Sequence, residues 1–84
     1  MPLYFFDTSD GGETFKDDVG LIFETRETMR RAAINALPEM AADALPDGVS
    51  RDMAVEVRNE AGERVFRATL NFRSDWLAPP SNDR

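Results

Sequence analysis

Between residues 29 and 44 the apolar side chains Met29, Ala32, Ala33, Ala36, Leu37, Met40, Ala41 and Ala44 recur three and four positions apart. That spacing marks one face of an α-helix. A chain of 84 residues with one such stripe must bury it against something other than a second helix. Thr25 is a suitable N-cap, Glu27 lies where the helix dipole favours a negative charge, and Pro46-Asp47-Gly48 supplies a stop. A helix is therefore expected from about Arg26 to about Leu45. Pro38 lies inside it and removes one backbone hydrogen bond, at a cost of about 3 kcal/mol. Because the apolar phase continues through Pro38, one kinked helix is expected, with a break at Leu37 to Pro38 as the alternative.

The flanking segments read as strands. Leu3-Tyr4-Phe5-Phe6-Asp7-Thr8 is aromatic-rich, apolar on both faces, and followed by the turn residues Ser9-Asp10-Gly11-Gly12. This suits a central strand. Residues 13–23 suggest a second short strand, hairpin-paired with the first. After the helix, Met53, Val55 and Val57 alternate with Ala54, Glu56 and Arg58, and Phe66, Ala68, Leu70 and Phe72 alternate with polar neighbours around the turn Asn59-Glu60-Ala61-Gly62. A four-residue loop there sets Val55 opposite Phe66, Met53 opposite Ala68, Glu56 opposite Val65 and Arg58 opposite Glu63. The expected fold is α+β, in the order β-β-α-β-β, with the helix on one face of a small antiparallel sheet. Residues 1–77 make a single domain in this reading, with Trp76 and Leu77 folded back over the core edge and residues 78–84 a disordered tail.

The chain has no cysteine and no histidine, which removes disulfides, ordinary zinc sites, the thiolate nucleophile and the usual general base. None of its four serines stands in a Gly-x-Ser-x-Gly setting, so no catalytic residue, cofactor or metal ligand is assigned and an enzyme is not expected. The net charge of -6 is concentrated in residues 1–25, where six acids face Lys16 alone. Such a field repels phosphate, so no nucleic-acid partner is expected. Without a signal-like amino terminus or a long apolar run, no membrane partner is expected and a cytoplasmic location is inferred.

Two surfaces invite a functional reading. Asp7, Asp10, Asp17 and Asp18 form an acidic strip, which as a calcium loop lacks the glutamate an EF-hand starting at Asp7 needs at its twelfth place. On the helix, taking about 100° per residue, Ile34, Pro38 and Leu45 fall roughly 120 to 160° from the core face and form a candidate contact surface. The bland alternative has a kink turning Leu45 inward and leaving Ile34 as an isolated exposed residue. Arg58, Arg67 and Arg73 are read as cross-strand charge pairs with Glu56, Glu63 and Asp52.

Tyr4-Phe5-Phe6-Asp7, Asp10-Gly11, Asp17-Asp18-x-Gly20, the alanine-rich helix and the stretch from Met53 to Gly62 together resemble a family of small uncharacterised bacterial proteins, a domain of unknown function common in rhizobia and their relatives. The resemblance runs to about Phe72, with Thr25 and Pro38 departing from the commoner helix sequence. It implies a bacterial cytoplasmic protein and transfers no catalytic residue. The strand-then-helix opening is also similar, in topology, to the antitoxin half of HicB-type toxin–antitoxin pairs. The expected function is a non-enzymatic interaction module that self-associates or docks on a protein partner, with an acidic antitoxin-like regulator masking a basic partner as the alternative.

Overall fold

The computed structural model describes residues 2–45 and 50–79. Five strands and one helix follow in the order β1 (Leu3–Asp10), β2 (Glu13–Phe15), β3 (Leu21–Ile22), α1 (Arg26–Ala44), β4 (Ser50–Arg58) and β5 (Arg64–Arg73). The sheet is antiparallel in the order β2-β1-β4-β5, with β3 also pairing β1. The fold is α+β, as expected, and β1 is central. The single second strand expected over residues 13–23 is two: β2 pairs the end of β1 and β3 its beginning, through Leu3↔Ile22 and Tyr4↔Leu21. Between them Gly20 turns the chain at φ +78°, where a side chain would meet Leu3, Phe5 and the Tyr4 carbonyl oxygen at 3.0 Å. Only glycine fits that close approach without strain.

The helix starts on Thr25, whose hydroxyl accepts from the Thr28 backbone N–H at 3.0 Å. It continues unbroken through Pro38, so the broken-helix alternative does not apply. Met29, Ala33, Leu37 and Ala44 are buried on its inner side, and the first three form one core with Met53, Val55 and Val57 of β4 and Tyr4 of β1. Phe23 closes one end of this core, stacked on Phe6 with ring centroids 5.6 Å apart and tilted against Tyr4 at 6.2 Å. The stop at Pro46-Asp47-Gly48 lies outside the described residues.

The hairpin register differs from the expected one by two residues: Val57 faces Phe66, Val55 faces Ala68, Met53 faces Leu70 and Glu56 faces Arg67. Two one-residue insertions cause it. Gly62, at φ +87°, donates to the Asn59 carbonyl, and the Asn59 N–H reaches past it to Glu63. A bulge then separates the pairs Arg58↔Arg64 and Val57↔Phe66, leaving Val65 as the extra residue. One insertion alone would turn the apolar side chains of β5 to the wrong face, and the second restores them. Trp76 and Leu77 do not fold back over the core. They stand 94% and 97% exposed beyond the end of β5.

Candidate functional site

The sheet has two unlike faces. The helix covers the side carrying Tyr4, Phe6, Val55 and Val57, and the other side is an open face of paired polar groups. On it Arg58 donates to both carboxylate oxygens of Asp7, at 2.6 and 3.0 Å, donates again to the Asp17 carbonyl at 2.9 Å, and lies 4.9 Å over the Phe5 ring. Asp17 fills the gap between β2 and β3. Its carboxylate accepts from the Phe6 N–H at 3.0 Å, where a strand partner would otherwise stand, and from Val19 and Gly20 at 2.9 and 3.1 Å. Its own N–H donates to Asp7.

The four residues of the expected acidic strip therefore do different things. Asp7 is bound to Arg58, Asp10 is gripped by Arg51 at 2.7 and 3.3 Å, and Asp17 is an acceptor for backbone N–H groups. Asp18 is exposed. The arginine partners hold Asp7 and Asp10 below the usual carboxylate range, against a smaller upward push from burial. In Asp17 burial pushes upward, and the N–H donors from Phe6, Val19 and Gly20 together outweigh it, so its carboxyl too is lowered. Among the described residues no group of three acidic, histidine or cysteine side chains could hold a metal ion.

The helix row is likewise divided. Ile34 is 37% exposed and Pro38, one turn on, is also exposed, but Leu45 has left the helix with extended backbone at φ -87° and ψ 146° and is half-buried. The phase that put Leu45 beside them holds only while the helix lasts. On the sheet, Glu56 takes both Arg64 and Arg67, Arg73 reaches Asp75, Asp52 meets Asn71 and Glu63 meets Asn59. Of the expected arginine pairings only Arg67 with Glu56 is seen.

Sequence reasoning missed the edge beside the Asp17 turn. Phe15, Val19, Leu21 and Ile22 are 58%, 83%, 61% and 61% exposed, four apolar side chains within eight residues. A shallow cleft of about 290 Å³ joins this edge to the helix end, lined by Thr8, Asp10, Phe15, Met40, Asp43, Ala44 and Arg51. The sequence did carry a signal: five apolar residues in 13–23 cannot all be buried by strands of three and two residues at a sheet margin.

Fold and surface together define a two-layer α+β domain with one open polar sheet face and an apolar margin. The chain belongs to a family defined by a domain of unknown function, DUF6894, whose profile matches residues 3–71 and so takes in all five strands and the helix up to the last residues of β5. No curated protein and no solved structure matches it. Among the described residues no helix is long and apolar enough to cross a membrane.

Proposed function

We propose that this chain is a non-catalytic protein-interaction module of the bacterial cytoplasm, self-associating or docking on a protein partner. The observation that carries this reading is the apolar margin at Phe15, Val19, Leu21 and Ile22, four exposed apolar side chains within eight residues. The lack of cysteine and histidine supports it from the side of chemistry. So does the engagement of Asp7, Asp10 and Asp17 with arginine or backbone groups, which makes them poor proton carriers near neutral pH. The net charge of -6 argues against nucleic-acid and anionic membrane partners.

The test is light scattering and affinity capture with the full chain and its Ile22→Asp variant. The variant keeps its melting curve and loses association, because Ile22 is largely exposed and its pairing with Leu3 uses backbone groups. Unchanged association in the variant removes this margin from the proposal. The antitoxin-like reading draws on the exposed Glu13, Asp18 and Glu24 around the same margin. It requires a basic partner and predicts binding that weakens steeply with salt, whereas apolar docking is little affected.

A further inference from the structure

We propose that the outer edge of β5 is a β-addition site for an acidic extended peptide, a reading that rests on the protein-interaction role and adds a second surface to it. Among the described residues β5 is the last strand of the sheet and spans 10 residues, so about half of its backbone N–H and C=O groups face outward with no described strand beside them. Arg64, Arg67 and Arg73 lie along it, and the strand contains no acid. In a chain of net charge -6 this is a local reversal of sign. Arg64 and Arg67 share the single carboxylate of Glu56 and Arg73 pairs with Asp75, so two carboxylates serve three arginines, whose side chains remain 71%, 63% and 78% exposed. The acid-rich margin is at the opposite end of the order β2-β1-β4-β5. Three strand spacings separate the two, about 14 Å, more than the screening length of about 8 Å at physiological salt.

The register fixes the chemistry of the occupant. Arg64, Arg67 and Arg73 pair with Arg58, Glu56 and Ser50, all on the open face, while Phe66 and Leu70 pair with Val57 and Met53 on the helix side. A peptide strand laid along β5 thus turns every second side chain to the open face, where it meets Arg64 and Arg67 at one end, Arg73 at the other and the polar Thr69 and Asn71 between them. It meets Phe66, and the cleft Phe66 forms with Arg26, Glu27, Met29 and Arg30, with the others. Acids alternating with β-branched residues match both faces. A second copy is a poorer occupant. Antiparallel pairing of two β5 strands about Leu70, which keeps each side chain on its own face, sets Arg67 against Arg73, like charges opposite one another, and among the described residues the other margin offers strands of three and two residues.

The test uses labelled peptides about eight residues long, alternating glutamate and valine, followed by fluorescence anisotropy and amide NMR on the full chain. The glutamate peptide binds, shifts the amides of residues 64–73 and releases about tenfold or more when Arg67 is changed to Gln or when salt is raised. N-methylation of one alternate set of its amides abolishes binding and of the other set does not, because only one set faces the edge. Absence of binding, equal binding of a lysine–valine peptide, shifts confined to residues 15–22, or concentration-dependent dimers that protect β5 each overturn the proposal. If the peptide fails while Ile22→Asp still abolishes association, this site falls and the interaction module stands. If neither has an effect, both fall.

Discussion

Arg58 grips Asp7 through two parallel hydrogen bonds of 2.6 and 3.0 Å, although the strand register sets Arg58 opposite Phe5 and Asp7 opposite Glu56. The guanidinium reaches diagonally across the sheet, where the Nη2 that donates to Asp7 also donates to the Asp17 carbonyl, and its flat face lies over Phe5. One side chain thereby ties β1, β4 and the turn between β2 and β3 together. A lysine has the charge but not the planar fork. Arg58→Lys is expected to release that turn, raising hydrogen exchange at the Asp17, Val19 and Gly20 amides by about tenfold while strand amides of β4 change less. Equal loosening of both would show that Arg58 supports the whole sheet and not the turn.

Acid stability follows from the same residues. The carboxyls of Asp7, Asp10 and Asp17 are all lowered in the folded chain, so just below the unfolded value of about 3.9 the unfolded state binds more protons than the folded one. Their stabilisation is complete above that pH and is lost as the pH falls through the folded values. Urea midpoints measured between neutral pH and about pH 3 are expected to fall steeply only below about pH 4. Asp17→Asn, which leaves one acceptor oxygen for three backbone donors, is less stable at neutral pH and shows a shallower acid decline. A variant with the wild-type slope would exclude Asp17 from the linkage.

Much of the architecture was legible because it depends on periodicity. The stripe from Met29 to Ala44 and the alternations around Val55 and Leu70 each state a face, and burial follows the face. The hairpin register was not legible from the same pattern: a displacement of two residues leaves every side chain on its own face, and it arose from Gly62 and Val65, neither of which breaks the alternation. The acidic strip was legible as four acids and misleading as a surface. A carboxylate beside an arginine in the fold looks no different, in sequence, from one beside water. Arg58 is 51 positions from Asp7 and Arg51 is 41 from Asp10. Leu45, Trp76 and Leu77 failed for a related reason, since each lies just past the end of a regular element, where its phase no longer applies.

Two glycines with similar backbone angles separate conformational strain from crowding. Gly62 at φ +87° has open space where a side chain would be, so Gly62→Ala is expected to cost about 1–2 kcal/mol for the left-handed backbone alone. Gly20 at φ +78° adds contacts at 3.0 Å, one of them with the backbone oxygen of Tyr4, which cannot rotate away. Gly20→Ala is therefore expected to destabilise more than Gly62→Ala in chemical denaturation. Its excess should be accompanied by shifted resonances at Leu3 and Phe5. Equal losses would mean that the turn moves freely off β1.

The helix row and the sheet margin are rival candidates for a contact surface, and single substitutions separate them. Ile34 is 37% exposed, so Ile34→Glu leaves the charge in water and is expected to change stability by about 0.5 kcal/mol or less. Leu37, three positions on, is 5% exposed in the same core as Met29, Val55 and Val57, and Leu37→Ala is expected to cost about 2–5 kcal/mol. That is a large share of the roughly 5–15 kcal/mol typical of a domain. Melting curves of the two variants check that the helix faces are oriented as described. The folded Ile34→Glu variant then goes beside Ile22→Asp on a sizing column and in affinity capture. With Leu45 turned away, Ile34 and Pro38 alone offer too little apolar area to hold a partner, whereas residues 15–22 expose four apolar side chains along one sheet margin. Association is expected to survive Ile34→Glu and to be lost in Ile22→Asp, and the reverse result would move the contact surface from the sheet margin to the helix.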